Sequence, residues 1–132
     1  MGLNNVDNTS DSTKNSATAT LTNKRITKRV STTNAPGATP SMNTDNYDMF
    51  VFTGLATAIT SLTTNLTGTP VEGDTVRIAL TDNGTARTIT WGASFESSGN
   101  VTLPSTTVAG VRLDIGFVWN SVTSKWRCVC FA

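Results

Sequence analysis

The sequence predicts an all-β chain: a jelly-roll-like antiparallel β-sandwich over residues 39–132, preceded by an extended N-terminal arm over residues 1–38. Three observations carry this expectation. Threonine supplies 26 of the 132 residues, joined by 12 Ser and 12 Asn. A branched Cβ suits a pleated, half-exposed surface, and Ser and Asn suit turns. Two long stretches alternate apolar and polar residues with a period of two, and no stretch shows a convincing helical period. Gly and Pro recur at the short intervals usual in sandwiches and barrels (Pro70, Gly73, Gly92, Gly99, Pro104, Gly110).

Taken in chain order, residues 1–20 are polar, with Leu3 and Val6 as their only large apolar groups besides Met1. Such a stretch cannot bury enough surface to offset its own ordering entropy, so it is expected to order only against other chains. Residues 21–33 place Leu21, Ile26 and Val30 among cations, at spacings that fit neither a long helix nor a clean strand. The run 34–40, Asn-Ala-Pro-Gly-Ala-Thr-Pro, reads as a hinge.

Beyond it, residues 47–55 are rich in β-formers: Tyr47, Phe50, Val51, Phe52 and Thr53. In residues 75–81, Val76, Ile78 and Leu80 share one face. Asp82-Asn83-Gly84 then predicts a tight turn into residues 85–91, which would make a hairpin. A second hairpin closes the chain. Val111, Leu113, Ile115, Phe117 and Trp119 form one buried stripe, Asn120–Ser124 turns the chain, and Lys125–Phe131 returns with Trp126, Cys128 and Cys130 on one face. Side chains two apart on a strand run parallel, with Cα atoms about 6.6 Å apart at ~3.3 Å per residue. That is the upper limit for a disulfide, so two buried free thiols are expected.

Charge and chemistry exclude several classes. The net charge of +1 provides no overall field for nucleic acid or membrane. The balance is uneven: residues 1–38 hold five cations (Lys14, Lys24, Arg25, Lys28, Arg29) against Asp7 and Asp11, and the remainder holds five against seven acids. A basic arm on a slightly acidic body suits docking. Lys24-Arg25-Ile26-Thr27-Lys28-Arg29 admits three readings: contact with nucleic acid, docking onto acids of another protein, or a solvated linker. Docking is favoured, because four charges without a neighbouring aromatic make a poor nucleic-acid site. No apolar core for a signal peptide and no membrane-length apolar run is visible, so neither export by that route nor membrane insertion is expected.

The absence of His removes the usual general base near neutral pH. Glu72 and Asp74 flank Gly73, and Asp45 and Asp48 precede a strand; both pairs read as solvated turn acids. Neither a metal site, a cofactor motif nor a phosphate-cradling loop is present in the sequence. Trp119 and Trp126 continue buried stripes. Tyr47, Trp91 and Phe95 are the candidate receptor contacts, since aromatic rings stack on sugars, although Trp91, beside Gly92, reads first as a core residue. Arg77, Arg87 and Arg112 fall on the face opposite the core, where they could meet Asp74, Glu96 or Asp114 of another subunit.

Two parts of the chain resemble bacteriophage proteins. Residues 2–11, Gly-Leu-Asn-Asn-Val-Asp-Asn-Thr-Ser-Asp, resemble the GLGNVDNTSD stalk repeat of phage tail fibres, with Asn4 where the repeat has Gly. Residues 21–27, Leu-Thr-Asn-Lys-Arg-Ile-Thr, resemble a short LTNKTIT element found near fibre tips. The body is similar to a carboxy-terminal module of tail-fibre and minor tail proteins through residues 73–80, 82–92, 112–120 and 124–127. The resemblance implies a non-enzymatic virion protein, assembled in the host cytoplasm as a homotrimeric fibre or spike tip that contacts other tail proteins and a host surface glycan. The alternative is a capsid decoration protein, a cement or head fibre held to the shell by its arm. A trimer also has a physical basis: Leu3 and Val6, of little use to a monomer, can meet their copies on a threefold axis. The residues expected to anchor the arm or make trimer contacts are Leu3, Val6, Leu21, Lys24, Arg25, Ile26, Lys28 and Arg29.

Overall fold

A computed structural model describes residues 25–132. Among them every regular element is a strand: β1 (Val30–Asn34), β2 (Met42–Asn43), β3 (Met49–Leu55), β4 (Leu66–Thr67), β5 (Thr75–Asp82), β6 (Phe95–Glu96), β7 (Leu113–Asn120) and β8 (Lys125–Phe131). Six of them form one sheet in the order β1-β3-β5-β7-β8-β6, and β2 pairs with β4 in a small second sheet. The all-β expectation holds. The ladder does not run antiparallel throughout: β5-β7 and β7-β8 are antiparallel, whereas β1-β3, β3-β5 and β6-β8 are parallel.

The inner face of the main sheet follows from alternation. Val76, Ile78 and Leu80 of β5 lie opposite Phe117, Ile115 and Leu113 of β7. With Phe50 and Phe52 of β3 they form a buried cluster. Segments outside the main sheet cover it through Met42, Ile59, Leu62, Ile89 and Trp91, giving a sandwich-like arrangement. Each such side chain contributes about 1.5–3 kcal/mol when fully buried. Parallel neighbours need long connections, and here the connections help to make the second layer. Residues 56–74, between β3 and β5, carry Ile59, Leu62 and β4.

The turn at residues 82–84 forms, yet its hairpin does not. Gly84 adopts φ +94°, and its N–H donates to the Asp82 carboxylate at 3.0 Å. Both edges of β5 are already taken by β3 and β7, so residues 85–91 cross to the other layer. There Ile59 and Ile89 make a parallel bridge, and Thr88 and Thr106 an antiparallel one. Asp82 secures this departure. Buried at the end of β5, it also accepts from the Thr107 hydroxyl and from Gly110 N–H (2.7 Å). These donors, Gly110 first, hold its carboxyl below the usual range.

The closing hairpin forms as the alternation predicts, with Trp119 opposite Trp126, their rings edge-to-face at 5.2 Å. It differs at both ends. Val111 lies before β7 and is 55% exposed, so the stripe runs from a half-buried Leu113 through the buried Ile115 and Phe117 to a half-buried Trp119. Both thiols are free, but only Cys128 is buried. Phe117 pairs with Cys128 and Gly116 with Cys130, leaving Val129 as an extra residue. This bulge reverses the facing of the strand, and Cys130 turns away from the core to lie over Gly116. A Cβ at Gly116 would stand 2.8 Å from the Cys130 Sγ. Burial pushes the Cys128 thiol up.

Residues 30–34, assigned from sequence to the arm, supply β1 at the edge of the main sheet. The hinge that follows bends the chain at Ala35, which takes φ +48°, and Pro36 and Pro40 are buried.

Candidate functional site

The parallel order β1-β3-β5 places the starts of three strands at one end of the sheet. The segments leading into them, 28–29, 44–48 and 73–75, enclose a polar hollow of about 410 Å³. Lys28, Arg29, Thr44, Asp45, Tyr47, Asp48, Asp74 and Thr75 line it. Arg29 anchors the entry to β1. Its Nη2 and Nε donate to Asp48 Oδ1 (2.8 Å) and Oδ2 (3.3 Å), its backbone N–H to Asp48 Oδ2 (2.9 Å), and its Nη1 to the Asp45 carbonyl (2.6 Å). The guanidinium holds the Asp48 carboxyl at a pKa of about 2. Asp45 accepts from the backbone N–H of Thr69 (2.8 Å) and from its hydroxyl. Asp74 accepts from Val71 N–H (2.9 Å). These carboxylates act as hydrogen-bond acceptors that fasten loops; each is matched to a donor of its own chain.

Tyr47 stands between this hollow and a second one of about 440 Å³, lined by Ser31, Ser41, Met42, Asn43, Phe50, Thr64, Asn65 and Thr67. Its ring is 38% exposed and rests edge-on against Phe50, with centroids 6.0 Å apart. Of the three candidate receptor aromatics, it is the one at the surface. Trp91 and Phe95 are each 5% exposed and, with Phe117, form a three-ring cluster with centroids 5.1–5.3 Å apart. The Trp91 indole N–H donates to the Pro104 carbonyl at 2.7 Å. Burial therefore removes Trp91 and Phe95 from any surface contact. Neither lies in a stretch long enough to show a period: Trp91 belongs to the irregular second layer, and Phe95 to β6, a two-residue strand at the rim of the main sheet.

Of the residues expected to anchor the arm, Leu3, Val6, Leu21 and Lys24 lie outside the described residues. Arg25 and Lys28 are exposed, and Ile26 is 81% exposed. Arg29 is engaged with Asp48 of its own chain. The arginines expected on the outer face also find partners at home, and Arg87, carried with residues 85–91 into the second layer, is half-buried rather than on the outer face of the sheet. Arg112 pairs with Asp114 two residues away (2.8 Å), and Arg87 donates to Asn83 (3.1 Å). Glu96 accepts from Arg127, Asn120 and Thr123, and those donors, Asn120 first, hold its carboxyl below the usual range. Arg77 has no ion pair among the described residues.

Sequence reasoning missed the gathering of Lys28, Arg29, Asp45, Asp48 and Asp74. Only the parallel strand order unites them, and no spacing in the chain encodes it. Comparison with family models, with curated proteins and with solved structures finds no significant match.

Proposed function

We propose that this chain is a non-enzymatic structural protein of a bacteriophage particle, working as a trimeric fibre or spike tip. The arm anchors and trimerises it, and the β body is displayed on the particle surface. One observation carries the docking part of this reading. The basic lead-in enters the fold through β1, a strand at the rim of the main sheet, with Ile26 and Val30 (81% and 47% exposed) left uncovered beside it. A chain that delivers its arm to a sheet edge with no strand beside it among the described residues is suited to joining other chains. The body beyond it supports a mechanical role: its carboxylates fasten loops, its core is apolar and its surface is rich in hydroxyls. A capsid decoration protein held by the same arm is the second reading, and the edge strand favours it equally.

The test is the mass in solution of the whole chain beside one starting at Arg25, which keeps β1. A whole chain at three times 13.9 kDa that loses its threefold mass on truncation supports the arm as trimeriser. A monomer in both cases refutes it.

A further inference from the structure

We propose that the free edge of β1 pairs with β1 of a second copy of this chain, antiparallel about a twofold axis centred on Thr32. The claim does not rest on the trimer above.

The ladder to β3 dictates which backbone groups face outward. Met49 N–H donates to the Arg29 carbonyl (3.1 Å), and Ala35 N–H donates to the Thr53 carbonyl (2.7 Å). Bonding alternates along a strand, so the odd-numbered residues of this run face β3 and the even-numbered ones face away. Val30, Thr32 and Asn34 thus direct their N–H and C=O groups to an edge that has no strand beside it among the described residues.

Native sheets guard such edges with charge, Pro, a bulge or extreme shortness. The sequence Val-Ser-Thr-Thr-Asn contains no charge and no Pro; it spans five residues and pairs with β3 in unbroken register. The opposite rim differs. There β6 has two residues, and Glu96 is tied to Arg127. An edge unguarded among the described residues, on one side of the sheet alone, points to an occupant.

A second copy fits that edge group for group. With Thr32 opposite Thr32 of the second copy, Val30 lies opposite Asn34. All three outward-facing residues then fall at hydrogen-bonded pairs, each exchanging both of its bonds. No like charges meet within the paired run, and Thr opposite Thr is a favourable cross-strand pair. Such a contact is isologous, so it yields even-numbered assemblies.

The experiment uses the full chain, with sedimentation velocity and the far-UV spectrum read on wild type and on Thr32→Pro. Proline at 32 deletes an outward N–H and leaves the ladder to β3 intact. The expected result is a mass that halves while the fold is retained. Six chains falling to three supports both the edge pair and the trimer. Two falling to one supports the edge pair and overturns the trimer. A wild-type mass of one or three chains, or a mass unchanged by the substitution, overturns the edge pair. Should Thr32→Pro fail to fold, amide exchange on wild type decides. Paired edges protect the Thr32 amide at high concentration and release it on dilution, while Ser31 and Thr33 stay protected throughout. A Thr32 amide that exchanges freely at every concentration overturns the proposal, as does one protected at every concentration in a monomer, since the arm of the same chain would then cover the edge.

Discussion

β7 and β1 belong to one sheet and are held in it by different forces. β7 has a neighbour on each side and turns Ile115 and Phe117 into the core, both 1% exposed. Among the described residues β1 has one neighbour; it sets a half-buried Ser31 and an exposed Thr33 beside Phe50 and Phe52, and keeps its place by its ladder to β3 and by the Arg29–Asp48 clasp. Removing water from apolar surface stabilises β7 by several kcal/mol. An edge of hydroxyls gains little beyond its backbone bonds, whose net worth is about 0.5–1.5 kcal/mol each. A strand of the second kind is cheap to release and open to partners, which suits a docking edge.

Substitutions sharpen the contrast. The largest effect is expected for Phe117→Ala, which empties a site shared with Trp91 and Phe95. Denaturant titration should show a loss of about 3–5 kcal/mol, against less than about 0.5 kcal/mol for Val30→Ala on the exposed face of β1. Similar losses at the two sites would erase the distinction.

Next comes Gly116→Ala, on the outer face of β7. The added methyl collides with the Cys130 Sγ, and a loss of about 1–3 kcal/mol is expected. Cys130→Ala in the same chain should restore most of it, because the clash is with that sulfur alone. Additive losses in the double variant would show that the bulge at Val129 does not hold Cys130 over the glycine.

The smallest effect belongs to the clasp. Asp48 has a folded pKa of about 2, below its ordinary value, because Arg29 stabilises the charged form. Its contribution is therefore full above the unfolded pKa near 4 and is lost as the pH falls from there to about 2. Stability curves of wild type and Asp48→Asn should run parallel above pH ~5 and converge between pH ~4 and ~2. Curves that stay parallel to the acid end would mean that Arg29 does not act through this carboxylate. Amide exchange in β1 should quicken in the variant and stay unchanged in β7.

The elements legible in the chain were those whose faces differ. Val76, Ile78 and Leu80 mark β5, and Leu113 to Trp119 mark β7, because one side of each is apolar. β1 escaped notice because Val-Ser-Thr-Thr-Asn has no apolar face from which a period could be read. The hollow around Tyr47 was legible only in its aromatic. Its charged groups come from three stretches brought together by parallel pairing.

Sequence alone determined the all-β character, the closing hairpin, the apolar stripes and the turn at Asp82-Asn83-Gly84, since each depends on local propensity or on a period of two. Tertiary structure decided which strand takes each edge, the parallel order of β1, β3 and β5, the passage of residues 85–91 into the second layer, and the outward turn of Cys130. The physical reason is that pairing is a competition. A strand has two edges, and β7 reaches β5 with a longer apolar face than residues 85–91 can offer. The turn stays where the chain wrote it, and its continuation goes where burial is still to be gained.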